Sequence, residues 1–226
     1  MVDRVTEKVA SGLRPEKTTV STRTRGLLTC GLVAGPVFIA VWAGQAFTRT
    51  GFDPTRHPAS LLALGDYGWI QVTNFVVTGV LIVACAIGAR QVLFPGRAGT
   101  WGPILIGGFG VGLIMGGVFM TDAGAGFPAG APAGAPEMSW HGLLHEVGHL
   151  VALVCWTAAC FVLRRRFAAA GERSLARLCV IGVLAVFAVA AWPDLNSLPV
   201  RIVVATAIQF AVVAVVAARL RRAQPV

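Results

Sequence analysis

Six apolar runs, each close to 20 residues long, recur along this 226-residue chain and leave few folds open to it. They lie at 26–47, 69–90, 103–120, 140–163, 175–193 and 200–219. A run of that length crosses a hydrocarbon core of roughly 30 Å at about 1.5 Å per helical residue, and within that core only helices or closed barrels satisfy the backbone. The composition agrees: 56% of residues are hydrophobic, 13% are charged and the mean hydropathy is +0.74, values that exclude an ordinary soluble domain. The predicted fold class is an all-α integral membrane protein, a six-transmembrane-helix bundle over 26–222 behind a polar tail at 1–25.

The net charge of +9 is a topology signal, and nucleic acid is not an expected partner. Sixteen of the nineteen Lys and Arg residues fall in the tail, between spans two and three, between spans four and five, or after the last span. Only Arg49, Arg56 and Arg201 lie on the other side. The positive-inside rule therefore predicts cytoplasmic N- and C-termini for a multi-pass membrane protein, with anionic membrane lipid as a partner for the basic side. The tail is expected to be disordered and not to be a cleaved signal, because the first apolar run follows a long polar leader and can itself span. Five cysteines fall inside the spans without a CxxC pair and read as small buried residues.

Within the spans, small residues predict close helix approach. Gly31 and Gly35 flank Pro36 in span one, and Gly108, Gly112 and Gly116 give GxxxG spacing in span three. Gln71 and Asn74 share a face of span two, where they can bond across helices or line an outer cavity as substrate contacts. In the first outer loop, Asp53-Pro54 and His57-Pro58 hold each polar residue in an extended or turn conformation. Ser60 is expected to cap a short helix through Leu64, ended by Gly65. The stretch from Thr121 to Glu137 is rich in Pro, Gly and Ala, and reads as a connector or a mobile lid.

Span four opens on Trp140-His141-Gly142-Leu143-Leu144-His145-Glu146-Val147-Gly148-His149. On a helix, His145 lies about 40° and His149 about 80° round from His141, so one stripe carries all three. Asp53, His57, Asp66, Asp122, Glu137, Glu146, Asp194 and Arg201 join them on the outer side. Ionisable groups at membrane depth face the bundle interior or a water-filled cavity, so the expectation is a polar pocket open to the outer leaflet. Its candidate acid–base groups are Asp122, His141, His145, Asp53, His57 and Glu146. His145-Glu146-Val147-Gly148-His149 also matches HExxH, whose histidines bind zinc while the glutamate serves as base; His141, His145, His149 and Asp122 are the candidate metal ligands. Arg201 is a candidate anion anchor, and Trp140 a further substrate contact.

The segment from Thr48 to Arg90, the run Gly117 to Pro128, the Trp140, His141 and His145 part of span four, and Leu198-Pro199-Val200-Arg201 together resemble a family of bacterial integral membrane proteins known as domain of unknown function 998. The resemblance covers nearly everything after the tail and includes His141 and His145. It implies a six-helix membrane fold and brings no activity with it. Several functions stay open: an enzyme doing acid–base or metal-assisted chemistry on a lipid-like or isoprenoid-like substrate, a non-catalytic protein with structural histidines, an HExxH zinc peptidase, and a small-solute transporter acting as a homo-oligomer. Haem is disfavoured because no span but the fourth contains a histidine. Polar residues confined to one leaflet favour chemistry at that surface over passage through it.

Overall fold

The computed structural model describes residues 20–223. All but six residues of the expected tail therefore lie outside the described residues. Ser21 caps the first helix, its Oγ accepting from the Thr24 N–H at 3.1 Å, so the bundle begins before Arg25. The helices are α1 Thr22–Thr48, α2 Gly68–Leu93, α3 Arg97–Val118, α4 Trp140–Ala169, α5 Arg173–Ala190 and α6 Leu198–Arg222. Each of the six is long and apolar enough to cross a membrane, and the described residues contain no strand.

Local chemistry sets the ends. α2 stops ahead of Phe94-Pro95, where a residue before proline cannot stay helical, and α3 starts after Gly96 at φ +114°. The third helix thus begins six residues before the expected 103. α4 closes on Gly171 at φ +76°, with the Glu172 N–H reaching back to the Phe167 carbonyl at 2.8 Å.

Each helix packs on its neighbours in the chain, and α6 returns to α1, closing a ring. Glycine makes the approach possible between α3 and α4. A Cβ on Gly112 would stand 2.6 Å from both the Ala152 nitrogen and the Gly148 oxygen. α2 and α3 touch in the same way through Gly79 and Gly110. From mid-depth toward the chain termini the ring is filled by Trp156, Phe109, Ile82 and Leu28, all but inaccessible. The Trp156 indole N–H donates to the Gln209 carbonyl at 3.2 Å, tying α4 to α6 at mid-depth.

The opposite end carries a second, smaller core made by loops. Phe52, Leu61, Leu62 and Phe127 pack together over Ala46. Arg49 braces this cap, donating to the Leu62 and Leu64 carbonyls at 3.3 and 2.7 Å. A 3-10 helix runs over Ala59–Ala63, close to the position expected, but Pro58 stands at its cap and Ser60 does not cap it. The Pro/Gly/Ala stretch folds back on itself, with the Ala125 N–H bonded to the Gly134 carbonyl and the Gly126 N–H to the Pro132 carbonyl. It forms a roof rather than an extended link.

Candidate functional site

Between the packed half of the bundle and this loop cap lies a cavity of about 520 Å³. Its deeper walls are apolar, from Phe38 of α1, Phe75 of α2 and Leu113 of α3. One side carries His145, Glu146 and His149 of α4, faced across the space by Thr206 and Gln209 of α6. Ser60 and Asp122 border it from the loops. A side cavity of about 80 Å³ between α4, α5 and α6 shares the His149, Thr206 and Gln209 walls.

The four histidines have different fates. His145 is buried, 6% exposed, and its Nδ1 lies 3.0 Å from both the Gly116 and the Phe119 carbonyl oxygens at the end of α3. Carbonyls only accept, so Nδ1 carries the hydrogen and the neutral ring keeps its lone pair on Nε2. Nε2 has no protein partner among the described residues. His149 lines the same cavity one turn deeper. His141 turns away from it: its Nδ1 meets the Met120 carbonyl at 3.1 Å and Ser139 Oγ at 3.0 Å. His57 is fully used in the cap, where Nδ1 accepts from the Asp53 N–H at 2.9 Å and Nε2 donates to the Ala125 carbonyl at 3.1 Å. Its ring sits between Phe52 and Phe127, at 5.4 and 5.5 Å.

Asp122 fastens α3 to α4. Its carboxylate accepts from the Ser139 N–H at 2.8 Å and hydroxyl at 2.5 Å, beside the start of α4, and stands 3.7 Å from His141 Nδ1. Gly142 is required here, since a Cβ would occupy the carboxylate's place. The Ser139 hydroxyl, then its N–H, hold the Asp122 carboxyl below the usual carboxylate range. Asp53 is held low in the same way by the Thr55 hydroxyl and N–H, in a turn away from the cavity. Asp194 is lowered chiefly by the Asn196 N–H.

Arg201 does not present its guanidinium as an anion anchor. It is buried and donates to the carbonyls of Val189, Ala190, Trp192 and Asp194, which closes the C-terminus of α5 with a cation where the helix dipole favours one. Gln71 and Asn74 face α1 and not the cavity: Gln45 Nε2 donates to Gln71 Oε1 at 2.8 Å, and Asn74 Nδ2 to the Phe38 carbonyl at 3.1 Å. Trp140 is 70% exposed on the outer surface of α4. Thr206 and Gln209 are the site residues that sequence reasoning missed. Their signal was present, two polar residues three apart in an apolar span, the same signal that singled out Gln71 and Asn74.

The donor set does not fit a complete zinc centre. His145 and His149 share the cavity, but Asp122 has both oxygens engaged by Ser139, and His141 faces elsewhere. Among the described residues no three His, Cys, Asp or Glu side chains form a group able to hold a metal ion. What the arrangement offers is a base of fixed tautomer and a carboxylate, at the polar end of an otherwise apolar chamber.

No curated protein and no solved structure matches this chain. The family described as protein of unknown function (DUF998) matches residues 32–221, from the third turn of α1 to the end of α6, with the whole cavity inside the match. The chain is a multi-pass membrane protein and belongs to the DUF998 family.

Proposed function

We propose that this protein is a membrane-embedded enzyme that takes the head of a lipid-like molecule into the cavity and acts on it by acid–base chemistry, with His145 Nε2 as proton acceptor. The reading is carried by the Nδ1 hydrogen bonds to the Gly116 and Phe119 carbonyls, which fix the ring and leave a free lone pair on the cavity wall. An imidazole can take up a proton and return it through the same ring nitrogen. Glu146, next in the sequence, also lines the cavity and offers a carboxylate to the bound head group. The walls of Phe38, Phe75 and Leu113 suit an apolar chain. His145 lies five residues beyond Trp140, about 7 Å along the helix, a depth that a lipid head group reaches from the interface. The charge asymmetry supports an orientation with both termini in the cytoplasm of a bacterial cell and the cavity toward the outer leaflet.

The test is mass spectrometry of small molecules that copurify with the protein. Wild type is expected to retain an amphiphile that Leu113→Trp, which fills the chamber, loses. His145→Gln is expected to retain it unchanged in structure while wild type yields a modified product from the same pool. Equal recovery from wild type and Leu113→Trp would refute the cavity as the binding place.

A further inference from the structure

The ionic side chains that line the main cavity have one sign. Asp122 and Glu146 line it, and no Lys or Arg does. Arg49 is committed to loop carbonyls, and Arg201, which borders only the side cavity, spends both terminal nitrogens on the carbonyls at the end of α5. Asp122 stays ionised because Ser139 donates to it twice. Glu146 forms neither a hydrogen bond nor an ion pair with any described residue. Beside it, His145 is 94% buried by its 6% exposure, with an Nε2 that has no partner. Two carboxylates and an imidazole lone pair are all acceptors. Asp122 is already satisfied by Ser139, but Glu146 and His145 Nε2 are not, and a ligand that satisfies these two must bring N–H or O–H groups. A phosphate or carboxylate head would meet two like charges in a poorly screened space.

We propose that the cavity selects a cationic amphiphile, whose protonated amine donates to the Glu146 carboxylate and to His145 Nε2 while its chain lies against Phe38, Phe75 and Leu113. This specificity rests on the amphiphile site proposed above and adds the chemistry of the head group. It excludes the common anionic lipids as occupants, although the bilayer around the basic end of the bundle would be rich in them.

The experiment uses the full chain in nanodiscs of zwitterionic phosphatidylcholine and three probes that share one chain: decylamine, decanol and decyl phosphate. Binding is read as the concentration dependence of the thermal unfolding temperature. Decylamine is expected to bind best. Glu146→Gln is expected to weaken decylamine by about tenfold or more, the scale of one charge-assisted hydrogen bond, and to change decanol by less than about twofold. Glu146→Asp, which keeps the charge, is expected to hold decylamine within a few-fold, so that loss in the glutamine variant is not mistaken for misfolding. Decyl phosphate binding as tightly as decylamine, or Glu146→Gln binding decylamine as wild type does, overturns the charge selectivity. Those results leave the amphiphile site standing provided that Leu113→Trp abolishes binding; if Leu113→Trp changes nothing for any probe, the site itself is refuted, and the selectivity with it.

Discussion

Burial and a histidine do not by themselves make a reactive centre; what decides is which ring nitrogen is left over. His57 and His145 are both nearly inaccessible, yet His57 spends both nitrogens on backbone groups and His145 spends one. Replacing His57 by Ala removes two hydrogen bonds and the filling between Phe52 and Phe127, and is expected to cost about 2–4 kcal/mol. That loss would show as a lower unfolding temperature in detergent, with probe binding in the cavity retained once the protein is folded. The sequence placed His57 among the acid–base groups because two of its partners, Ala125 and Phe127, lie about seventy residues away and local spacing cannot reveal them. Asp122 has a pH signature of its own. Its carboxyl is lowered from the ordinary 3.8 by Ser139, so its contribution to stability is complete above that value and fades as pH falls through the folded-state titration. The gap in unfolding temperature between wild type and Asp122→Asn should therefore stay constant from neutrality down to about pH 5 and close below about pH 4. A gap that widens in acid would mean that the Ser139 bonds do not hold the carboxylate.

Helices were the most legible part of the chain, because an apolar run of twenty residues has little alternative in a bilayer. The GxxxG spacing in α3 also read correctly: Gly112 meets the backbone of α4 at Gly148 and Ala152. Spacing alone could not say which glycines of that helix bear contact. A Cβ on Gly107 would meet only the Ala86 Cβ at 3.8 Å, ordinary van der Waals contact. Gly107→Ala is thus expected to be neutral or to stabilise by about 0.5–1 kcal/mol through helix propensity. Gly112→Ala must push α3 from α4 and should cost about 1–3 kcal/mol. Thermal unfolding of the pair in one detergent checks both, and equal effects would mean that the α3–α4 seam is looser than drawn. That seam also explains why the three-histidine stripe splits. Gly148 and Ala152 turn one edge of α4 onto α3, which buries His145 against the carbonyls there, while the steps of about 40° leave His141 at the loop and His149 in the chamber.

Taken whole, the molecule is a closed ring of helices, tightly filled at one end and hollow at the other. The filled end gathers the chain ends: Thr24 of α1 bonds Gln91 of α2 at 2.6 Å, and Arg219 of α6 forms a two-pronged pair with Glu172 at 2.7 and 2.9 Å. Exposed Tyr67, Trp69, Trp140 and Trp192 girdle the hollow end, and Phe94 and Trp101 the other, as aromatic side chains do at membrane interfaces. The hollow end was legible as a gathering of polar residues; its volume was not, because it depends on where five helices and two loops fail to meet. Which leaflet the chamber serves turns on the basic residues, sixteen of which lie at the filled end or in the tail leading to it. Thr55→Cys, at the hollow end, is expected to react with a membrane-impermeant maleimide in intact cells, and Ala170→Cys only after lysis. The native cysteines lie within the spans, so wild type supplies the unlabelled control. The reverse pattern would turn the chamber toward the cytoplasmic leaflet, where an amine-bearing amphiphile would have to come from a different pool of lipid.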